Sequence, residues 1–320
     1  MNARAIHIGL VDAVHESCRL LLEKNGLVVH DLSVLPESET RNAIGKMDAI
    51  VVRSRFPFDR AFMEANRHLK CIGRWGSGLE NIDLDAAKAF GIAVVNAPEG
   101  NRQAVAEHAL LLLLSMMRHM PRIDTEVRAG VWQREPNRGT ELQGKTIAII
   151  GYGHTGSAFA RVLAGFRVKV LAFDKYRSGF SDEYISEATL DDVFQHADVI
   201  SLHLPQSEET KHYVDADFIA RFQKPVYLLN TARGQLIDAQ ALLQGINSGS
   251  IICAGLDVLP FETSSFEQLD NNPQQTAFLQ HPQMVFSPHI AGWTHEANTK
   301  MAKWLTDKMI YLLRNEKTEG

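Results

Sequence analysis

Cysteine is scarce: Cys18, Cys71 and Cys253 are the only three, far apart and without a C-x-x-C pair. That spacing argues against a disulfide framework and against a zinc site, so no metal is expected and a reducing compartment suits the chain. A basic excess is also missing, because 33 Lys and Arg face 38 Asp and Glu, for a formal charge of -5. Without a global positive field, nucleic acid and anionic membrane are not expected partners, and any anion must be recognised locally. Long apolar runs are absent too. The most apolar segment, residues 109–117, is well short of the roughly 18 to 20 residues that cross a bilayer, and it reads as a buried helix. The start of the chain carries neither a basic n-region nor a small-residue cleavage site. No signal peptide is expected, and the expected location is cytoplasmic.

What is present is enough apolar residue, 45% of 320, for two buried cores. Residues 6–10, 28–32, 49–53, 71–73 and 93–96 read as strands alternating with helices at 16–24, 37–46, 60–66 and 84–90. This βα rhythm with short connections predicts an α/β fold with doubly wound parallel sheets. A hinge is expected at Asn96-Ala97-Pro98-Glu99-Gly100-Asn101, followed by a helix at about 102–118 whose apolar residues face nearly all round. Such a helix lies between domains or against a second subunit. Residues 122–144 show little pattern and read as an extended arm, which in a compact chain implies a partner.

The chain is organised around residues 144–156, a β-branched run that stops at Gly151-Tyr152-Gly153-His154-Thr155-Gly156. Strand, glycine turn and a helix at 157–164 make a site for an anion at a helix start. Gly151 allows the turn, Gly153 admits a pyrophosphate to the backbone, and Gly156 lets helix and strand pack closely. The next strand, 169–173, ends in Asp174, where a carboxylate accepts hydrogen bonds from an adenosine ribose and repels a 2′-phosphate. NAD is therefore expected over NADP, although Lys175 and Arg177 just beyond moderate that preference. The rhythm resumes with helices at 190–196, 216–222 and 239–245, strands at 199–202, 226–230, 251–256 and 284–286, a polar loop at 260–282 and an amphipathic helix at 296–313.

Three segments follow strand ends: Asn230-Thr231-Ala232-Arg233-Gly234, Leu256-Asp257-Val258-Leu259-Pro260-Phe261-Glu262 and Ser287-Pro288-His289-Ile290-Ala291-Gly292. Together they offer a cation to hold a carboxylate and polarise a carbonyl, a carboxylate to orient a base, and an imidazole to carry a proton. Hydride removal from a C–H needs the hydroxyl proton taken as well, and histidine, with an ordinary pKa of about 6.5, suits that exchange.

With these segments in this order, the chain resembles the D-isomer-specific 2-hydroxyacid dehydrogenases over nearly its whole length, in particular the D-3-phosphoglycerate dehydrogenase branch. The resemblance also rests on Arg74-Trp75-Gly76-Ser77-Gly78-Leu79-Glu80-Asn81-Ile82-Asp83, on Ala106-Glu107-His108 and on Gly139-Thr140-Glu141-Leu142. It implies a Rossmann NAD domain at 99–289 inserted into a flavodoxin-like substrate domain formed by 1–98 and 290–320. By position, Arg233, Glu262 and His289 match the catalytic residues, with His289 the proton donor and acceptor. Ser77 and Gly78 match the loop whose amides hold the substrate carboxylate, and Arg53-Ser54 a strand-end pair facing the cleft. Asp257 matches a carboxylate meeting the nicotinamide amide, and Thr231 a backbone contact to that ring. His154, Thr155, His203, Ala232, Arg233, His289 and Gly292 complete the implied cofactor contacts. The helix after the hinge and the arm imply a homodimer.

Departures are visible as well. His154-Thr155 replaces the usual Arg-Ile, Thr263 stands where proline is usual, and Trp293 replaces a small residue. Ending at Gly320, the chain is not expected to carry a regulatory domain or to respond to serine through one. Arg53, Arg55, Arg74, Arg134 and Arg138 are more cations than a lactate-sized substrate needs, and Arg134 falls where the phosphoglycerate branch supplies a phosphate ligand. The expected reaction is therefore NAD-linked interconversion of 3-phosphoglycerate and 3-phosphohydroxypyruvate in serine biosynthesis. Glyoxylate or hydroxypyruvate reduction is the alternative, and an NAD-binding corepressor without turnover a remote one.

Overall fold

The computed structural model describes residues 4–263, 268–270 and 275–315. The chain forms two units, Met1–Asn101 with Trp293–Gly320, and Arg102–Gly292. The crossings thus fall at 101/102 and 292/293, against the expected 98/99 and 289/290.

The first unit runs β1 (His7–Leu10), α1 (Glu16–Lys24), β2 (Val28–Asp31), α2 (Glu37–Ile44), β3 (Ala49–Val52), α3 (Arg60–Ala65), β4 (Cys71–Arg74), α4 (Leu84–Ala89) and β5 (Ala93–Asn96). Its strands are all parallel in the order β2-β1-β3-β4-β5, the flavodoxin-like arrangement. Short acidic caps start the helices: Asp59 accepts the Phe62 N–H at 2.8 Å and Asp83 the Ala86 N–H at 2.8 Å, satisfying donors that a helix start leaves open. The core closes only with the last helix of the chain, His295–Asn315, whose Met301, Leu305 and Met309 join Ile8, Leu22, Val51 and Cys71. Packing is close enough that a Cβ on Gly73 of β4 would lie 2.4 Å from the Met309 sulfur.

The second unit holds most of α5 (Pro98–Met117), then α6 (Met120–Arg128), β6 (Thr146–Ile150), α7 (His154–Leu163), β7 (Lys169–Phe173), β8 (Ile185–Glu187), α8 (Leu190–His196), β9 (Val199–Leu202), α9 (Ala216–Ala220), β10 (Val226–Asn230), α10 (Ala239–Asn247), β11 (Ile251–Leu256), α11 (Gln275–Leu279) and β12 (Met284–Phe286); the C-terminal helix of the first unit is then α12. The strands are again parallel, in the order β12-β11-β10-β9-β6-β7-β8. From β6 the order runs one way to β8, and from β9 the other way to β12, so the carboxyl ends of β6 and β9 frame a switch-point crevice. Ile147, Ile149, Val199 and Leu229 face one core and Ile150, Ile200, Leu202 and Leu228 the other. Burial on both sides is why these strands are continuously apolar.

The arm differs from its expectation. It opens with α6, which Pro121 starts at a position where a missing N–H costs nothing, and which carries Arg122–Glu126 and Arg128–Asp124 pairs at helical spacing. His119, in the left-handed region at φ 54°, separates it from α5. On α5, Ala109, Leu112, Leu113, Met116 and Met117 are buried while Leu111 stays 57% exposed, as expected of a helix too apolar for one core. The polar loop at 260–282 lies partly outside the described residues, and α11 sits within it. Among the described residues, no helix is long and apolar enough to cross a membrane and no His, Cys, Asp or Glu cluster suits a metal. Burial pushes the thiols of Cys18 and Cys253 up to about 12, so neither is a nucleophile at neutral pH.

Candidate active site

The glycine turn lies at the carboxyl end of β6. Gly151 adopts φ +95°, and a Cβ there would lie 2.6 Å from the His203 carbonyl oxygen; at Gly156 it would lie 2.1 Å from the Gly151 oxygen. Both glycines are demanded by the protein's own packing. Gly153 is not, since its Cβ would meet open space, and close approach by another molecule is the remaining reason for it. α7 begins at His154, not Ser157, and no side chain caps it, the condition under which a helix start can receive an anion. His154 is exposed and Thr155 half-buried.

His203 lies beneath the turn. Its Nδ1 is 3.2 Å from the Thr155 hydroxyl and its Nε2 2.9 Å from that of Ser201. Burial drives its pKa from 6.5 down to about 3, so it is a neutral support for the helix start at physiological pH. Asp174, at the end of β7, accepts backbone N–H groups of Tyr152 (2.8 Å), Tyr176 (2.9 Å) and Arg177 (3.0 Å). The carboxylate is thereby held beside the turn.

Across the sheet, Glu262 and His289 come together: His289 Nδ1 donates to Glu262 Oε2 at 2.7 Å. The other oxygen of Glu262 accepts the Leu259 N–H, so the carboxylate is anchored to its own loop. Nδ1 carries the proton in this pair, which leaves Nε2 to exchange one. His289 adopts φ 55°, a left-handed conformation that costs an ordinary residue about 1–2 kcal/mol. Asp257 holds it there. With 1% of its surface exposed, this carboxylate accepts the Ile290 N–H (2.9 Å), the Ala291 N–H (2.8 Å) and the Ser287 hydroxyl (2.5 Å), while its carbonyl oxygen accepts the His289 N–H at 2.8 Å. His108 of α5 joins through Ser287, Nε2 to Oγ 2.7 Å. Burial alone would raise the pKa of Asp257, but the bonds from His108, Ser287, Ala291 and Ile290 outweigh it and the net shift is downward from 3.8. A cavity of about 280 Å³ is lined by Asp257, Leu259, Glu262, Gln268, Leu269, Phe286, Ser287, Pro288 and His289.

Arg233 follows β10 in a loop shaped by Asn230, whose side chain donates to the Arg233 carbonyl (2.8 Å) and accepts the Ala232 N–H (3.0 Å). The guanidinium of Arg233 donates to the Ala232 carbonyl at 2.6 Å. A Cβ on Gly234 would stand 1.9 Å from the Leu259 oxygen, and Gln235 donates to the Pro260 carbonyl at 3.0 Å. The Arg233 loop is thus packed on the loop that bears Glu262. Thr231 is buried with its hydroxyl oxygen lacking a hydrogen-bond partner among the described residues. That orphan, the open face of Gly153 and the uncapped start of α7 fit a bound dinucleotide. Gly292 is half-buried just beyond Ala291.

In the first unit, Arg53, Ser54 and Arg74 occupy the carboxyl ends of β3 and β4, which are neighbours in the sheet. The Arg53 N–H donates to Asp12 at 2.6 Å, and its guanidinium lies 5.1 Å from the ring centroid of Trp293. Arg74 folds back to donate to the Trp75 carbonyl at 2.6 Å, and occupies the space a Cβ on Gly76 (φ +132°) would need. Ser77 donates to Asn101 at 2.8 Å and its carbonyl accepts from Asn96 at 2.6 Å; Gly78 follows, half-buried. Arg55 is engaged by the carbonyls of Val11, Leu32 and Leu35. In the arm, Arg138 pairs with Glu135 at 2.7 Å, and Arg134 heads the short turn Glu135–Asn137, exposed. Asp12, His108, Asn230 and Ser287 support the site without belonging to the residues expected in it. Asn230 and Ser287 stand at strand ends and His108 closes the Ala106-Glu107-His108 motif, so these three carry a signal in the sequence, whereas Asp12 carries none.

Residues 110–291 match the model of the D-isomer specific 2-hydroxyacid dehydrogenase NAD binding domain. The chain belongs to that family. It is an oxidoreductase with NAD as cofactor. It is 36% identical over 297 residues to a hydroxypyruvate reductase of Thermotoga maritima, covering 92% of this chain and 94% of that protein. Identity to a D-3-phosphoglycerate dehydrogenase of Archaeoglobus fulgidus is 34% over 307 residues, 95% of this chain and 57% of that protein, so the chain spans little more than half of that relative. The structure of D-2-hydroxyisocaproate dehydrogenase superposes with a TM-score of 0.85 at 26% identity, covering 98% of both chains. The two all-parallel units are the fold of this family.

Proposed function

We propose that the chain interconverts a small D-2-hydroxy acid and its 2-oxo acid, with 3-phosphoglycerate and 3-phosphohydroxypyruvate as the pair its motifs suit best. The carrying observation is the His289–Glu262 hydrogen bond beside the buried Asp257 lock. NAD, when bound, supplies the hydride acceptor and, reduced, the hydride donor. His289 Nε2 takes the hydroxyl proton during oxidation and returns it to the carbonyl oxygen during reduction, while Glu262 keeps Nδ1 protonated and the ring oriented. Arg233 holds the substrate carboxylate and polarises the carbonyl, and Ser77 and Gly78 are substrate-binding residues by their match to the family. Thr231, Ala232 and Gly292 line the nicotinamide side, and the turn from Gly151 to Gly156 holds the pyrophosphate.

Hydroxypyruvate or glyoxylate reduction is the second reading. It is supported by the engagement of Arg55 with backbone carbonyls and of Arg74 with its own turn, which reduces the cations available to a phosphate. The remaining phosphate ligands are Arg53 and Arg134. The test is a ratio of kcat/KM values for 3-phosphohydroxypyruvate and glyoxylate, in the unmodified chain and in Arg134→Ala. Loss of one phosphate contact costs about 1.5–3 kcal/mol, roughly ten- to hundredfold, for the phosphorylated substrate only. An unmodified enzyme that prefers glyoxylate defeats the phosphoglycerate reading, and no turnover of any 2-oxo acid leaves the corepressor reading.

A homodimer belongs to the same proposal. Leu111, Met120, Val127, Val131 and the 80% exposed Trp132 leave apolar surface on α5, α6 and the segment after them, more than a free helix pair keeps in water. Light scattering that gave a monomer mass would remove it. A cytoplasmic place in serine biosynthesis follows only if the phosphorylated substrate is preferred.

A further inference from the structure

The loops after β7 and β9 stand on either side of the glycine turn, because β6 lies between those strands. Two basic residues, Lys175 and Arg177, follow Asp174 in the first of these loops. Cations at that point are what a 2′-phosphate on an adenosine ribose would seek. Both are already held. Arg177 donates through Nη1 to the carbonyl of Tyr152, inside the glycine turn itself. Lys175 is bonded through Nζ to Oε1 of Glu209 in the β9 loop, and Oε2 of the same carboxylate accepts the Tyr176 hydroxyl at 2.6 Å. The Lys175 ammonium also lies 5.5 Å from the centroid of the Tyr176 ring. The bond to Glu209 raises the pKa of Lys175, and the bonds from Lys175 and Tyr176 lower that of Glu209. The pair is charged on both sides at neutral pH.

We propose that Glu209 is a specificity-determining residue for the cofactor: holding Lys175 across the two loops, it withdraws the cation that a 2′-phosphate needs, so NADP is refused by two carboxylates, Asp174 and Glu209. The proposal rests on the NAD-dependent reading above. An exposed ion pair adds little to folding, so stability does not explain a contact that joins loops on opposite sides of the turn. A doubly charged phosphate approaching Lys175 must displace Glu209 and then sit within a few ångströms of its charge. Without that carboxylate the ammonium is a mobile charge with three donors, well suited to a phosphate. Arg177 stays on the Tyr152 carbonyl in either case.

The test is direct binding, read by calorimetry or nucleotide fluorescence, of NADH and NADPH to the unmodified chain, to Glu209→Gln and to the double variant Glu209→Gln with Lys175→Ala. In Glu209→Gln the NADPH dissociation constant should fall about three- to tenfold, between the effect of an exposed pair and that of a charge-assisted bond to phosphate, while NADH affinity holds. Adding Lys175→Ala should abolish the gain, and raising the salt should shrink it. Unchanged NADPH affinity in Glu209→Gln, or a gain that survives Lys175→Ala, overturns the role of Glu209. A failure of the NAD-dependent reading shows earlier and separately, as an unmodified chain that binds NADPH as well as NADH or binds neither.

Discussion

Asp174 and Asp257 are both strand-end carboxylates of one sheet, yet their surroundings are opposites. Asp257 is 1% exposed, and its oxygens are held by the segment that carries His289 and by His108 of α5. Asp174 is half-buried beside an exposed network of Lys175, Tyr176 and Glu209. Proton transfer depends on atoms held to a fraction of an ångström, which dry, backbone-anchored bonds provide. Choosing between two dinucleotides depends on a difference in charge, which groups in water can supply and mutation can adjust.

The largest expected break in this comparison is at the reaction end. His289→Ala should keep NADH binding and lose about 10²–10⁴ in turnover, the usual contribution of a positioned proton carrier. Glu262→Gln should lose less, because the imidazole keeps a partner. Equal rates for His289→Ala and the parent would dismiss the mechanism.

Next comes the lock itself. Asp257→Ala takes the partner from the Ile290 and Ala291 N–H groups and leaves the Ser287 hydroxyl only His108, and a buried group left unpaired costs about 1–3 kcal/mol. A denaturant midpoint lowered by the equivalent of about 3 kcal/mol or more is expected, and a parent-like midpoint would show that the 287–291 segment holds itself.

A pH series sharpens the contrast. Above 6.5 His203 is neutral in both states and adds no slope. Below 6.5 the unfolded chain takes a proton that the folded one refuses until about pH 3, so stability falls with pH, by about 2 kcal/mol at pH 5. His203→Asn should flatten that limb even if its plateau is lower; an equally steep limb in the variant would place the titrating group elsewhere. Asp257 acts only further down: its stabilisation is present above 3.8 and is lost as pH falls through its lower folded value.

The smallest effect is expected at the nucleotide end. Lys175→Ala should leave the thermal midpoint within about one degree, as usual for exposed pairs. A larger drop would mean that the two loops depend on the pair for folding.

Strands such as 226–230 and 251–256 were legible to the residue, because both faces of a parallel sheet are buried and its strands are unbroken apolar runs between turns. The glycine turn, Glu262 and His289 were legible by order and strand-end position. α6 was not, because Pro121 and a charged surface masked the Met120, Ile123, Val127 stripe at helical spacing. Arg55 looked like a phosphate ligand, and only the folded chain brings Val11, Leu32 and Leu35 around it. Glu209 gave no sign at all, since it meets Lys175 across 34 positions of chain. Contacts of that span depend on loop placement, which local pattern does not encode.

The packing of α12 on Gly73 and against the Ile8, Leu22 and Val51 core also sets an order of assembly during synthesis. The larger unit is one unbroken span, 102–292, and it is synthesised before α12, which begins at His295. The smaller unit begins first and finishes last: one side of its five-stranded sheet is covered by α1 alone while some 190 residues are added, a span closing only at modest entropic cost. The inserted domain can therefore complete its core from contiguous chain, whereas the first unit cannot complete its own until α12 has been added.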